Sequence, residues 1–207
     1  MTVSHPGGTL RPVKRTLLVL LVLLVGCSDD APVDEPLERP AVALGPVTAR
    51  VDAIADQVDA WEMASASEEA SSAAEAAANL IVGPDGPGYG DRNGDGVVDG
   101  ESDRGLLTGV SGLDGLIVET IGDASCVEQD VLGGSWDDPA SRWAQLDDVL
   151  SRWDESNNTM PELASHPMRV VGWATLTLQG GDLDLAHEYA GHAQLHVTVT
   201  RQAMEDC

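Results

Sequence analysis

The sequence predicts an all-α protein, a bundle of four to five helices interrupted by one long Gly/Pro-rich connection. Three observations carry this. Val47, Val51, Ile54, Val58 and Trp61 recur at alternating spacings of four and three, which draws one apolar stripe along a helix. Asp138-Pro139 pairs an N-cap residue with proline at the first helical position, and Trp143, Leu146, Leu150 and Trp153 follow at helical spacing. Near the C-terminus Leu185, Tyr189, His192, His196, Val199 and Ala203 repeat the four–three pattern. Five tryptophans and no phenylalanine supply the bulk of such a core. The alternative class is α+β, with Val170–Leu178 as a strand.

The chain starts with a targeting pattern. Arg11, Lys14 and Arg15 precede the apolar run Leu17 to Val25, which is too short for a comfortable membrane span. Leu24-Val25-Gly26-Cys27 comes next, and then the polarity changes abruptly at Ser28-Asp29-Asp30. This stretch resembles the lipobox of bacterial lipoproteins. The resemblance implies cleavage before Cys27, lipidation of Cys27, and an exported protein held on the cell membrane or outer membrane by acyl chains, each buried CH₂ contributing ~0.8 kcal/mol. An uncleaved signal anchor is the alternative.

Residues 1–26 then form the signal peptide, 27–45 an acidic, proline-rich tether, and 46–207 the folded domain. The whole chain carries a formal charge of −24. Without residues 1–26 it keeps eight Lys and Arg against 35 Asp and Glu, a balance of −27. Phosphate binding needs a basic surface, so nucleic acid is excluded as a partner. The membrane is reached through the lipid anchor, and the sequence names no protein partner. Cys126 and Cys207 remain once Cys27 is lipidated. Outside the cytoplasm they can pair, which stabilises a fold by roughly 4 kcal/mol for a long closed loop.

The first helix begins at Gly45-Pro46 and continues beyond Trp61 in smaller residues, Ala66, Ala70, Ala73, Ala77 and Leu80, with a bend or break near Ser65. Gly83-Pro84-Asp85-Gly86-Pro87-Gly88-Tyr89-Gly90 excludes helix and central strand alike. A short helix is expected within Leu113 to Ile121, and the Asp138-capped helix runs to about Trp153. After the Asn157-Asn158-Thr159 turn, the run from Met168 to Leu178 suits either a helix or a strand, and its helical neighbours favour helix. Gly180-Gly181 ends it and Asp182 caps the last helix.

The most informative stretch follows the Gly/Pro-rich segment: Asp91-Arg92-Asn93-Gly94-Asp95-Gly96-Val97-Val98-Asp99-Gly100-Glu101-Ser102-Asp103. Oxygen-bearing side chains stand at loop positions 1, 3, 5 and 9, with glycine at position 6 for the sharp turn. A hard cation such as Ca²⁺ takes six to eight oxygens, and Val97 adds its carbonyl at position 7, while Val98 is expected to point inward. The stretch resembles the calcium loops of the EF-hand family and the DxNxDGxxD loops of integrin-type propellers and thrombospondin repeats. It departs from the EF-hand at position 12, where Ser102 replaces the bidentate Glu. Glu101 and Asp103 flank that position as candidates to close the shell. The calcium ligands this implies are Asp91, Asn93, Asp95, Val97, Asp99, Glu101 and Asp103. An ordinary acidic turn is the bland alternative.

A second candidate metal site is Glu188, His192 and His196, since histidines at i and i+4 on one helix can chelate a transition metal, or ligate haem. Two core histidines with hydrogen-bond partners are the alternative. His187-Glu188-x-x-x-His192 is not the zinc-protease HExxH, because the extra residue rotates the second histidine by about 100°. No GxSxG, P-loop or dinucleotide fingerprint is present, so no catalysis is inferred. The sequence therefore reads as a lipid-anchored, extracytoplasmic protein with structural calcium. A transition-metal or haem protein built on His192 and His196 is the second reading, and a cell-envelope interaction scaffold the third.

Overall fold

The computed structural model describes residues 45–121, 125–155 and 159–206. The signal peptide, Cys27, most of the tether, Asn157-Asn158 and Cys207 lie outside the described residues, and so does the side chain of Cys126. The lipidation site and the expected disulfide therefore lie outside them too.

The fold is all-α, with no strand among the described residues. The stripe from Val47 to Trp61 forms α1 (Gly45–Glu62), and all five of its residues are buried. A large apolar side chain contributes ~1.5–3 kcal/mol when fully buried, so this stripe alone anchors the helix. The chain then breaks, and Ala66 is the extended N-cap of α2 (Ser67–Val82) and exposed to solvent. The bend or break expected near Ser65 is a full break that turns the two helices into a hairpin, with Ala66 outside the apolar stripe assigned to it. Ser65 is held by Glu69, whose carboxylate accepts from the Ser65 amide at 2.9 Å and its hydroxyl at 2.8 Å.

Two shorter helices follow the long connection, α3 (Leu116–Ile121) and α4 (Ser125–Asp130), the second unforeseen. Next comes α5 (Pro139–Ser151), where Asp138 Oδ1 accepts from Ser141 N at 3.1 Å as an N-cap should. The ambiguous run is a helix, α6 (His166–Gly180), closed by Gly181 in the left-handed conformation at φ 64°. It is buried on nearly every side. That explains why its pattern mimics a buried strand, since neither leaves a polar face to mark its period. Asp182 Oδ1 accepts from Leu185 N at 3.0 Å and starts α7 (Leu183–Asp206).

α1, α2, α6 and α7 pack in a closed ring, α1 on α2, α2 on α6, α6 on α7 and α7 on α1. That is a four-helix bundle, with α3 against α1, α4 against α7 and α5 against α6. α2 faces this core with alanines, so its neighbours approach closely. Loop residues Leu106 and Leu107, each 1% exposed, also belong to the core. Their amides donate to the carbonyls of Leu80 and Ile81 at 3.1 and 3.0 Å, which satisfies the last turn of α2.

The buried line of α7 is Ala186, Tyr189, Ala190, Ala193, Val197, Thr200 and Met204. The expected stripe is thus corrected. Tyr189 is shared, but Val199 is 40% exposed and His192 and His196 lie on the flank of the buried face. The small residues on that face let α7 approach its neighbours, and size-weighted reading of the sequence passes over them.

Candidate metal centre

The acidic loop is built against α2. Glu75 and Asn79, one turn apart on that helix, are both fully buried and polar. Glu75 spends its carboxylate on loop amides: Oε2 accepts from Arg92 N at 2.6 Å and Asn93 N at 2.8 Å, and Oε1 from Asp99 N at 2.9 Å. Asn79 donates to the carbonyls of Gly90 and Asp99 at 3.0 and 2.7 Å and accepts from Gly90 N at 3.2 Å. These two side chains grip both ends of the nine-residue run Asp91–Asp99. Gly100, at φ 70°, lies so close to α2 that a Cβ there would stand 2.3 Å from the Ala76 carbonyl oxygen.

Inside the loop, each acidic or amide side chain at positions 1, 3 and 5 turns inward onto backbone. Asp91 Oδ1 accepts from Gly94 N at 2.7 Å and Asp95 N at 3.1 Å, and its Oδ2 from Gly96 N at 2.9 Å. Asn93 Oδ1 accepts from Asp95 N at 2.9 Å, and Asp95 Oδ1 from Val97 N at 2.8 Å. Asn93 Nδ2 donates to Ser72 Oγ and to Asp95 Oδ2, both at 3.2 Å. Gly96 holds φ 91°, a conformation that favours glycine.

Such bonds fix the side chains while leaving oxygen lone pairs over, because a carboxylate offers about four acceptor sites. Among the described residues, no three His, Cys, Asp or Glu side chains converge as a metal-binding group. The loop's donor chemistry is broader than those four types, since Asn93 and the Val97 carbonyl belong to it.

Glu101 and Asp103 flank Ser102 beyond this run. Ser102 is tied to Tyr89, whose hydroxyl donates to Ser102 O at 3.1 Å and accepts from Ser102 N at 3.0 Å. Asp103 is an electrostatic partner of Arg50, which donates to the Leu80 and Arg104 carbonyls; burial outweighs Asp103 and pulls the guanidinium below its usual range. Glu101 is exposed. Val98 is 37% exposed, which corrects the inward side chain expected of position 8; α2 reaches the loop through polar groups and not through an apolar socket.

Arg92 turns away from the ion candidates. It donates to Thr175 Oγ1 on α6 at 2.9 Å, and burial lowers its pKa while Glu75 opposes that shift. Sequence reasoning missed Glu75, Asn79 and Arg92. One signal was available, a single glutamate and asparagine one turn apart in the alanine-dense stretch Ala73 to Asn79.

The histidines are arranged differently. His196 Nδ1 lies 3.0 Å from Nδ1 of His166, which opens α6 and was no part of the expected site. His192 stacks on Trp173, ring centroids 4.5 Å apart at 16°. Burial first, then Arg169, His166 and His192, pushes His196 down to about 3. His166 is lowered by burial and Arg169, against Asp130. Glu188 lines a recess of about 180 Å³ with Trp153, Glu155, Leu185 and Tyr189. His187 Nε2 lies 2.9 Å from the Ala64 carbonyl, tying α7 to the α1–α2 turn.

Comparison with protein-family models, with curated proteins and with solved structures finds no match to this chain. No described helix is long and apolar enough to cross a membrane.

Proposed function

We propose that the protein is a lipid-anchored, extracytoplasmic calcium-binding protein in which the ion is structural. The observation that carries this reading is the Asp91–Asp99 loop, its side chains at positions 1, 3 and 5 held inward by loop amides and its backbone held by buried Glu75 and Asn79. Asp91, Asn93, Asp95, Asp99 and the Val97 carbonyl would hold the ion. Of the two flanking carboxylates, Glu101 is the better candidate to complete the shell, because Asp103 already faces Arg50. Calcium would neutralise an acidic surface loop that has little apolar core of its own.

A calcium titration of thermal stability tests this. Extracellular calcium modules bind at roughly 10⁻⁴–10⁻³ M. A hundredfold excess over that constant stabilises by ~2.7 kcal/mol, read as a rise in Tm that disappears in Asp91→Asn/Asp95→Asn. A Tm indifferent to calcium would sink the proposal.

The transition-metal or haem reading on His192 and His196 has one observation in its favour, the approach of His166 to His196. Arg169 opposes it, since a guanidinium that disfavours protonation of both rings disfavours a bound cation as well. Metal analysis of the purified protein separates the readings. Copper, zinc or iron lost on His196→Ala would support the second.

A further inference from the structure

Asn93 is the one asparagine of the chain that is followed by glycine. An asparagine side chain closes a five-membered ring when the next backbone nitrogen attacks its amide carbon, and glycine leaves that nitrogen unshielded by a Cβ. Gly94 is exposed and holds φ 79°, with nothing within 4 Å of where a Cβ would stand, so solvent reaches the linkage. Asn79 is the internal contrast. It is fully buried, it is followed by Leu80, and its side chain is bonded to Gly90 and Asp99.

The folded loop sets three groups on the reacting atoms. Asp91 Oδ1 accepts from Gly94 N at 2.7 Å, which puts a carboxylate on the proton that the attacking nitrogen must lose. Asp95 N donates to Asn93 Oδ1 at 2.9 Å, on the oxygen where negative charge gathers as the nitrogen adds. That bond closes a turn over Gly94, so the amide carbon of Asn93 is carried back across the following peptide. The departing nitrogen, Asn93 Nδ2, is held by Ser72 Oγ and Asp95 Oδ2, both at 3.2 Å. Nucleophile, electrophile and leaving group are thus all fixed by one short stretch of backbone.

We propose that Asn93 is a self-modifying position, at which the folded loop converts its own asparagine to isoaspartate and aspartate. Gly94 N gives its proton to Asp91 and bonds to Cγ of Asn93. The Cγ–Nδ2 bond breaks, and the nitrogen leaves as ammonia with the proton that Gly94 gave up, returned through solvent. Water then opens the cyclic imide. Attack at the side-chain carbonyl gives aspartate, and attack at the main-chain carbonyl gives isoaspartate. The sum is one water consumed and one ammonia released.

The two products affect the loop differently. Aspartate keeps the backbone and adds a negative charge at loop position 3. Isoaspartate runs the chain through its side-chain carbon, which inserts one CH₂ between Asn93 and Gly94. That insertion falls between Asn93 N, which Glu75 holds, and the amides of Gly94, Asp95 and Gly96, which Asp91 holds. The modification therefore works in one direction and loosens the loop as the protein ages.

Hydroxylamine, which cleaves the chain at a cyclic imide, tests this on the full chain in EDTA, where the outcome does not depend on the calcium proposed above. Fragments ending at Asn93 and starting at Gly94 should appear by mass spectrometry, at least as fast in the folded protein as in concentrated urea. Asp91→Asn preserves the shape of the side chain without its basicity, and should slow cleavage of the folded chain by about tenfold or more. Asp99→Asn, the same charge change at the far end of the loop, should not slow it. In urea Asp91→Asn and the parent should cleave alike, because the arrangement exists only in the fold. Without hydroxylamine, aged protein should gain the amide-to-acid mass at Asn93 and not at Asn79. Absence of cleavage at Asn93, cleavage slower in the fold than in urea, or folded cleavage indifferent to Asp91→Asn would each overturn the proposal.

Discussion

The acidic loop and the histidine pair both gather metal-ligating residue types, and their surroundings turn those residues to opposite uses. In the loop, Asp91, Asn93 and Asp95 turn onto loop amides while Arg92 reaches away to Thr175, and α2 orders the backbone beneath with one buried carboxylate and one buried amide. At the pair, His166 and His196 face each other beside Arg169, and His196 is held neutral far below its usual range. Ligand chemistry alone does not make a cation site. On the reading proposed above, the neighbouring guanidinium counts against a cation at the histidines.

The contrast can be broken most severely at Glu75. Glu75→Ala strips the acceptor from three amides, those of Arg92, Asn93 and Asp99. A loss of about 3 kcal/mol or more is expected in urea unfolding, with loss of any calcium response. Gly100→Ala comes next. Its φ of 70° and the Ala76 carbonyl 2.3 Å from a would-be Cβ leave no room, so about 2 kcal/mol should go.

Acid sharpens the other side. His196 has a folded pKa of about 3 against an ordinary 6.5, so the unfolded chain binds the extra proton. The stability it contributes is complete above pH 6.5 and is lost as pH falls toward 3. The side chain is partly exposed, so ~1–3 kcal/mol is the expected range after screening. The pH dependence of the urea midpoint should flatten between pH 7 and 5 in His196→Gln, a window above most carboxylate titration. The smallest effect expected is that of zinc. Beside Arg169 it should shift Tm by little at the histidines, and a clear zinc-dependent rise abolished by His166→Gln would reverse the comparison.

Much of the architecture was legible in order along the chain. Val47 to Trp61 reads as a helix because one face is apolar and the other acidic. Asp138, Asp182 and Gly181 mark helix ends by chemistry that acts within a few residues. Legibility fails where burial comes from all sides or from small residues. The stripe on α7 was read about one residue out of register, since Ala186, Ala190 and Ala193 are core while Val199 is not. α2 was read through Ala66, which is instead its exposed cap.

The candidate sites divide the same way. Asp91, Asn93, Asp95, Gly96 and Asp99 announce a loop because their spacing is local. Glu75 and Asn79, 16 and 12 residues before the loop's start, have no spacing rule linking them to it.

By itself, then, the sequence determined an all-α chain, the position and internal chemistry of the acidic loop, and the helix caps, since all of these depend on contacts within one or two turns. Only the tertiary structure decided that α2 supplies the loop's foundation, that His166 meets His196, and that Thr108 and Trp136 share a cavity with three carboxylates. Each of those depends on which helices pack together, and packing is chosen by the summed burial of many side chains, a quantity no short stretch of sequence contains.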